Sequence, residues 1–190
     1  MVVVDPRSSH LTTPHLTLVS GAARSGKSRW AEHLAQDSKA AVVVVVTGPP
    51  EHSDPHWQRR VAEHRRRRPQ DWQTWEVEQD LATALGRLGE GQLGLVDSIG
   101  TWVAAHLEAD QSRWRELSCC LIGACQESSA PLILVCEETG WGVVPPTVIG
   151  GLFRDRLGQL QQQLCGVADR AWLVTAGRAL DLHALSLPVP

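Results

Sequence analysis

Three groups of residues in this chain have the types and spacing for phosphate chemistry. The first is Gly21-Ala22-Ala23-Arg24-Ser25-Gly26-Lys27-Ser28, which fits the pattern G-x-x-x-x-G-K-S. Its glycines let backbone N–H groups turn inward, and the N-terminus of a following helix adds its positive dipole end. Lys27 then reaches the β- and γ-phosphates of a nucleoside triphosphate, and the Ser28 hydroxyl can bind Mg²⁺. An apolar run (Leu16, Thr17, Leu18, Val19) leads in, and an amphipathic stretch (Arg29, Trp30, Ala31, Glu32, Leu34, Ala35) leads out. This strand–loop–helix context separates a phosphate-binding loop from a Gly/Ser-rich turn with a surface lysine.

The second group lies in Asp54-Pro55-His56-Trp57-Gln58-Arg59-Arg60-Val61-Ala62-Glu63-His64-Arg65-Arg66-Arg67-Arg68-Pro69. Asp54 fits a helix N-cap with Pro55 at the first helical position, and Pro69 stops the helix at or before Arg68. Trp57, Val61 and His64 then share one face. A charge run is usually a solvated face. Six arginines in the ten positions from Arg59 to Arg68, in a chain that binds triphosphate, read instead as phosphate ligands, because guanidiniums bind phosphate oxygens bidentately. His64 sits inside this cluster, where positive charge favours the neutral imidazole, a nucleophile able to attack phosphorus. Spacing alone favours a bland surface role for His64, since histidine has many such roles.

The third group is acidic. Asp97 ends the apolar run Leu93-Gly94-Leu95-Val96, the position from which nucleotide-binding proteins hold a Mg²⁺ shell, although Asp is also a favoured N-cap. Glu76 follows Trp72-Gln73-Thr74-Trp75, where it can accept hydrogen bonds from a base or ribose or can cap a helix.

The elements that must position these groups alternate. Strand character appears at Leu16–Ser20, Ala40–Thr47, Leu93–Asp97, Leu132–Cys136 and Ala171–Val174. Helical patterns fall at Ser28–Gln36, His56–Arg67, Val77–Leu88, Ser112–Glu127 and Gly151–Val167. The unbroken β-branched run Val42–Val46 predicts a strand covered on both faces. Alternation of this kind predicts an α/β fold, a mainly parallel sheet flanked by helices. Ligands of such sheets bind at the carboxyl ends of the strands. The loops Gly48–Ser53 and Glu137–Pro146 therefore point to the crevice of the phosphate loop. Residues 1–15 read as a disordered lead-in, 16–180 as one domain, and 181–190 as a tail.

A chain of 190 residues with formal net charge −3 suits one domain, and its bulk charge points to neither nucleic acid nor membrane. The five cysteines, Cys119, Cys120, Cys125, Cys136 and Cys165, form no C-x-x-C pair. They read as small buried residues in a reducing compartment. No apolar run approaches the length of a membrane span, and the N-terminus lacks a signal-peptide pattern, so a cytoplasmic location is expected.

The residues then resemble a known family. Gly-Ala-Ala-Arg-Ser-Gly-Lys-Ser-Arg, His64-Arg65…Arg68-Pro69…Trp72…Thr74…Glu76, Asp97…Trp102 and Gly140-x-Gly142-Val143-Val144-Pro145 occur in the right order, as does Phe153-Arg154-Asp155…Gly158…Ala168-Asp169. Together, over about residues 16–175, they look like the bifunctional adenosylcobinamide kinase/adenosylcobinamide-phosphate guanylyltransferase of cobalamin biosynthesis. The resemblance implies a phosphate-loop NTPase-type, recombinase-core-like domain assembled as a homotrimer. It implies guanylylation of His64, and contacts to GTP from Arg65, Arg66, Arg67 and Arg68. Thr47-Gly48-Pro49 are implied nucleotide contacts, with Glu76 and Asp97 as nucleotide-site residues. GTP and ATP are the implied substrates with Mg²⁺, and adenosylcobinamide and its phosphate are the implied acceptors. The chain departs from the family pattern at Glu137-Glu138-Thr139, where Asn-Glu-Val is usual. It departs also at Gly100 (usually Thr), His56 (usually Glu), Gln161 (usually Asn) and Pro146 (commonly an acid). These departures bear on the kinase step or the corrinoid contacts more than on guanylylation. Competing readings are a single-activity enzyme of the same fold and a nucleic-acid-binding phosphate-loop ATPase using the Arg59–Arg68 stripe.

Overall fold

The structure, a computed structural model, describes residues 14–48 and 55–190, the side chains of residues 55–57 and 60 excepted. Most of the expected lead-in falls outside the described residues, as do Pro49, the Asp54 cap and the side chain of Trp57. The strands are β1 (Leu16–Gly21), β2 (Ala41–Val46), β3 (Gln73–Glu76), β4 (Gln92–Asp97), β5 (Leu132–Glu137), β6 (Arg170–Thr175) and β7 (Arg178–Asp181). The helices are α1 (Lys27–Asp37), α2 (Pro55–Arg67), α3 (Leu81–Leu85), α4 (Ile99–Ala105), α5 (Gln111–Glu127), α6 (Val148–Val167) and α7 (Leu182–Leu185).

The strands form a single sheet in the order β3-β2-β4-β5-β1-β6-β7. Every pairing is parallel except that of β6 with β7. Strand side chains alternate between faces, and both faces are apolar. Leu16, Leu18, Val43 and Val45 pack with residues of α3 to α6, including Leu85, Trp102, Leu121 and Leu160. Val19, Val42, Val44, Leu95 and Val135 pack on the other face against Ala31 and Ala35 of α1. Burial on both sides explains the unbroken valine run of β2.

Several elements differ from the sequence reading. The expected helix Val77–Leu88 shrinks to α3. Val77 N–H donates to the Val46 carbonyl at 2.7 Å, and the Trp102 indole donates to the Gln79 carbonyl at 2.9 Å. Those contacts hold residues 77–79 against the sheet and α4, so the helix starts only after Asp80. The short α4 lies in an apolar run without a clear helical period. Ser98 is its N-cap; Asp97 caps no helix. Beyond β6 the chain turns back through Ala176 (φ 49°) and Gly177 (φ 73°). Two central residues at positive φ match the twist of a tight hairpin. The resulting β7 ends at Asp181, and α7 occupies part of the stretch that reads as a tail.

The cysteines also divide. Cys125 and Cys136 are buried and Cys165 is partly so, but Cys119 and Cys120 are exposed. On α5 the buried positions are Trp114, Ser118, Leu121 and Cys125, so the helical period turns residues 119 and 120 outward.

Candidate active site

The phosphate loop is assembled at the C-terminal end of β1. Gly26 takes φ 103° as the N-cap of α1, and Arg24 also lies at positive φ, 60°. Gly21 has no room for a side chain, because a Cβ there would collide with the Val174 carbonyl and stand 2.7 Å from Ser25 Oγ. The β6–β7 turn braces the loop through Gly177 N–H, which donates to the Ser25 carbonyl at 3.2 Å. Lys27 opens α1 and is buried, with Nζ 3.4 Å from the Ala22 carbonyl oxygen. Ala22, Ala23 and Arg24 face outward, and Ser28 is half-buried.

Asp97 lies at the tip of β4, on the same sheet edge as the loop and separated from β1 by β5. His64, from α2, directs Nδ1 to Asp97 Oδ2 at 3.0 Å. Arg68 Nη2 donates to the same oxygen at 2.7 Å. Glu32 of α1 closes the group, with Oε1 4.0 Å from His64 Nδ1 and 3.7 Å from Arg68 Nε. All four side chains are at most 15% exposed. Burial by itself would raise the Asp97 carboxyl. The hydrogen bond and charge of His64, followed by the charges of Arg68 and Lys27, outweigh it and hold Asp97 below the usual carboxylate value.

The setting of His64 therefore differs from the purely cationic cluster expected. Its imidazole touches a carboxylate, and the arginines are distributed among acids. Arg67 makes two bonds to Glu32, at 3.1 and 3.0 Å, and Arg65 bonds Glu76 at 2.7 Å. Arg66 is exposed. The helical turn is the reason: positions 64 and 68 share a face toward Asp97, whereas 65, 66 and 67 fan away from it.

Glu76 ends β3 and caps no helix, since α3 takes Asp80 as its N-cap. Thr47 is buried, and its hydroxyl lies 2.5 Å from both the Ser98 carbonyl and Thr101 Oγ1, linking the ends of β2 and β4. Gly48 lines a cavity of about 290 Å³ together with His64, Asp97, Ser98, Glu137 and Phe153. A second cavity, about 490 Å³, is walled by Arg65, Arg68, Pro69, Trp72, Thr74 and Glu76. Arg65 and Arg68 belong to both. Thus the string from His64 to Glu76 contributes to two adjoining hollows at the C-terminal ends of β2, β3 and β4. Sequence reasoning missed Glu32, Ser98 and Phe153 as site residues. Glu32 carried a signal, standing one helical turn after Ser28 on the same face of α1.

Ser28 and Asp97 offer hydroxyl and carboxylate oxygens, the hard donors that Mg²⁺ prefers. No group of three or more His, Cys, Asp or Glu side chains among the described residues is arranged to hold a metal ion. Mg²⁺ in nucleotide sites is commonly held by one or two protein groups, with phosphates and water supplying the rest.

Loop, lysine, sheet order and strand-tip acid define a phosphate-loop NTPase-type fold. Among solved structures, the chain is similar to a prototypical ATPase from the type III secretion system of pathogenic bacteria. That likeness has a TM-score of 0.54 at 13% identity and covers 85% of this chain and 51% of that one. The ATPase EscN from enteropathogenic E. coli gives 0.55 at 14% identity, over 86% and 43%. These likenesses concern the fold alone.

Residues 17–182 match the family described as Cobinamide kinase / cobinamide phosphate guanyltransferase, CobU. The bifunctional adenosylcobalamin biosynthesis protein CobP of Pseudomonas aeruginosa is 37% identical over 170 residues, 87% of this chain and 95% of that protein. Its counterpart CobU of Escherichia coli K12 is 33% identical over 178 residues, 85% and 96%. The chain belongs to the cobinamide kinase / cobinamide phosphate guanyltransferase family of enzymes.

Proposed function

We propose that this protein phosphorylates adenosylcobinamide with ATP or GTP and then transfers GMP from GTP through a guanylyl-His64 intermediate, giving adenosylcobinamide-GDP. The observation that carries the reading is the placement of His64 against Asp97 on the sheet edge that bears the phosphate loop. An ionised carboxylate only accepts, so His64 Nδ1–H donates to Asp97, and in the neutral ring Nε2 then carries the lone pair. That tautomer is the nucleophilic one.

In the first step the acceptor hydroxyl attacks the γ-phosphorus of the triphosphate, with release of nucleoside diphosphate and a proton. Lys27 and the loop N–H groups hold the phosphates in line. In the second, His64 Nε2 bonds to the α-phosphorus of GTP as the bond to pyrophosphate breaks. Asp97 stabilises the positive charge left on the ring, as the buried acid does in Asp–His pairs. A phosphate oxygen of adenosylcobinamide phosphate then attacks the same phosphorus, the P–N bond breaks, and neutral His64 returns. Arg65, Arg66, Arg67 and Arg68 supply charge to the departing pyrophosphate. Mg²⁺ held by Ser28 and Asp97 would neutralise phosphate charge when bound.

Glu76, in the second cavity, accepts hydrogen bonds from the ribose or base. The nucleic-acid alternative is disfavoured by the family match over residues 17–182 and by the formal net charge of −3. No helix among the described residues is long and apolar enough to cross a membrane, and the reading includes a cytoplasmic location. A homotrimer accords with the apolar Trp141, Val143, Val144, Val148 and Ile149, all more than half exposed.

The test is incubation with GTP labelled at the α-phosphorus and Mg²⁺, then mapping of the adduct. A phosphoramidate at His64, labile to acid and stable to alkali, is expected. No labelled protein, or label on another residue, would overturn the guanylyl-histidine step.

A further inference from the structure

Gly100 and Glu137 are in contact. Glu137 ends β5 opposite Gly21, at the root of the phosphate loop, and the next residue's N–H donates to the Gly21 carbonyl at 2.9 Å. Its carboxylate reaches across to the first turn of α4. Oε1 accepts from Ser98 Oγ at 2.6 Å, and Oε2 accepts from Gly100 N–H at 2.9 Å. The second bond satisfies one of the amide groups that a helix start leaves without an internal partner.

A Cβ at residue 100 would collide with Glu137 Oε2 and stand 2.8 Å from Cδ. The Glu137 side chain is flexible enough to swing aside, but only by giving up both hydrogen bonds. A glutamate at 137 in this pose and any side chain at 100 therefore exclude each other. The two residues are sterically interlocked.

Its consequence reaches His64. Ser98 directly follows Asp97, and the Ser98 carbonyl accepts from the Thr47 hydroxyl at 2.5 Å. The turn after β4 is thus held from two sides, by Thr47 and by Glu137. We propose that Glu137 is a positioning residue: through Ser98 and Gly100 it fixes Asp97 against His64, and glycine at 100 is what admits it. The catalytic part of this proposal rests on the guanylyl-histidine reading. The spatial part does not.

The experiment uses the full chain and the variants Glu137→Ala, Glu137→Gln, Gly100→Ala and Gly100→Ala/Glu137→Asn. The first readout is the His64 imidazole resonance without nucleotide, compared with that of Asp97→Asn at the same pH. Glu137→Ala and Gly100→Ala should move it toward the Asp97→Asn position, whereas Glu137→Gln, which keeps the length and an acceptor for Gly100 N–H, should not. The second readout is the single-turnover rate of His64 labelling at saturating GTP. Glu137→Ala and Gly100→Ala should each slow it about tenfold, the scale of a small misplacement of a reacting group. Half-saturating GTP should change by less than about twofold, because ground-state binding is untouched. Glu137→Gln should recover most of the rate, and the double variant, with its shorter side chain, should outpace Gly100→Ala. Wild-type-like resonances in Glu137→Ala, or a double variant no faster than Gly100→Ala, would overturn the proposal. Absence of labelling in the wild-type protein would instead sink the guanylyl-histidine reading. The resonances would then decide the positioning role alone.

Discussion

His64 Nδ1 and Asp97 Oδ2 are 3.0 Å apart, although 33 residues separate them in the chain. The contact fixes the ring tautomer and ties a residue of α2 to the tip of a central strand. It joins the arginine-rich helix to the sheet edge that bears the phosphate loop.

Asp97→Asn should therefore slow guanylylation of His64 by about two to four orders of magnitude, the range for loss of a group that orients a catalytic histidine. His64→Ala should abolish the adduct and leave phosphorylation of adenosylcobinamide in place. Rapid-quench labelling and mass analysis of the corrinoid product measure the two separately. Equal loss of both activities in a folded His64→Ala protein would contradict the division of labour.

Arg68 and Arg65 should respond differently to truncation. Arg68 is 8% exposed and shares Asp97 with His64, so Arg68→Ala leaves a buried carboxylate short of a partner and should cost about 3 kcal/mol. Arg65 is 61% exposed in its pair with Glu76, and Arg65→Ala should cost less than about 1 kcal/mol. Urea denaturation of the two variants gives the comparison.

Stability should decline in acid partly through Asp97. Its folded-state carboxyl lies below the ordinary value, so between the folded and unfolded values the unfolded chain binds more protons. The contribution is complete above the unfolded carboxylate value, about 4, and is lost as pH falls through the lower folded one. Melting curves between neutral and acid pH should show a shallower acid decline for Asp97→Asn than for wild type.

Thiol reactivity should follow the two faces of α5. Cys119 and Cys120 are exposed and should react quickly with an aromatic disulfide reagent at neutral pH. Burial pushes Cys125 up to about 12 and Cys136 well above the usual thiol value, with Glu137 and Glu138 adding to the latter. Both should react only on unfolding. Burial also raises Cys165, which should react at an intermediate rate. Counting thiols against time, with and without denaturant, checks all three classes.

How far each element was legible in the chain follows the range of the interactions that form it. Local pattern determined the phosphate loop with its strand and helix, the arginine-rich α2 ending before Pro69, and the doubly covered β2. In each case the information lies within a few neighbouring residues: glycine placement, helical period, proline stops, β-branching. The weaker segments were those whose state depends on distant partners. Residues 77–79 lie on β2 and Trp102 instead of opening a helix, α4 starts at a cap beside a strand tip, and β7 exists because β6 offers it an edge.

The site divides in the same way. Lys27, Ser28, Asp97 and the arginines stood out by type and spacing, and His64 by the family resemblance, because phosphate chemistry draws on few side chains. Tertiary structure alone decided that His64 meets Asp97, that Glu32 and Glu76 engage the arginines, and that Glu137 fills the space above Gly100. These contacts depend on the order of strands in the sheet and the direction in which each helix returns. A periodic pattern records which face a residue occupies. Only the closed fold sets which face it meets.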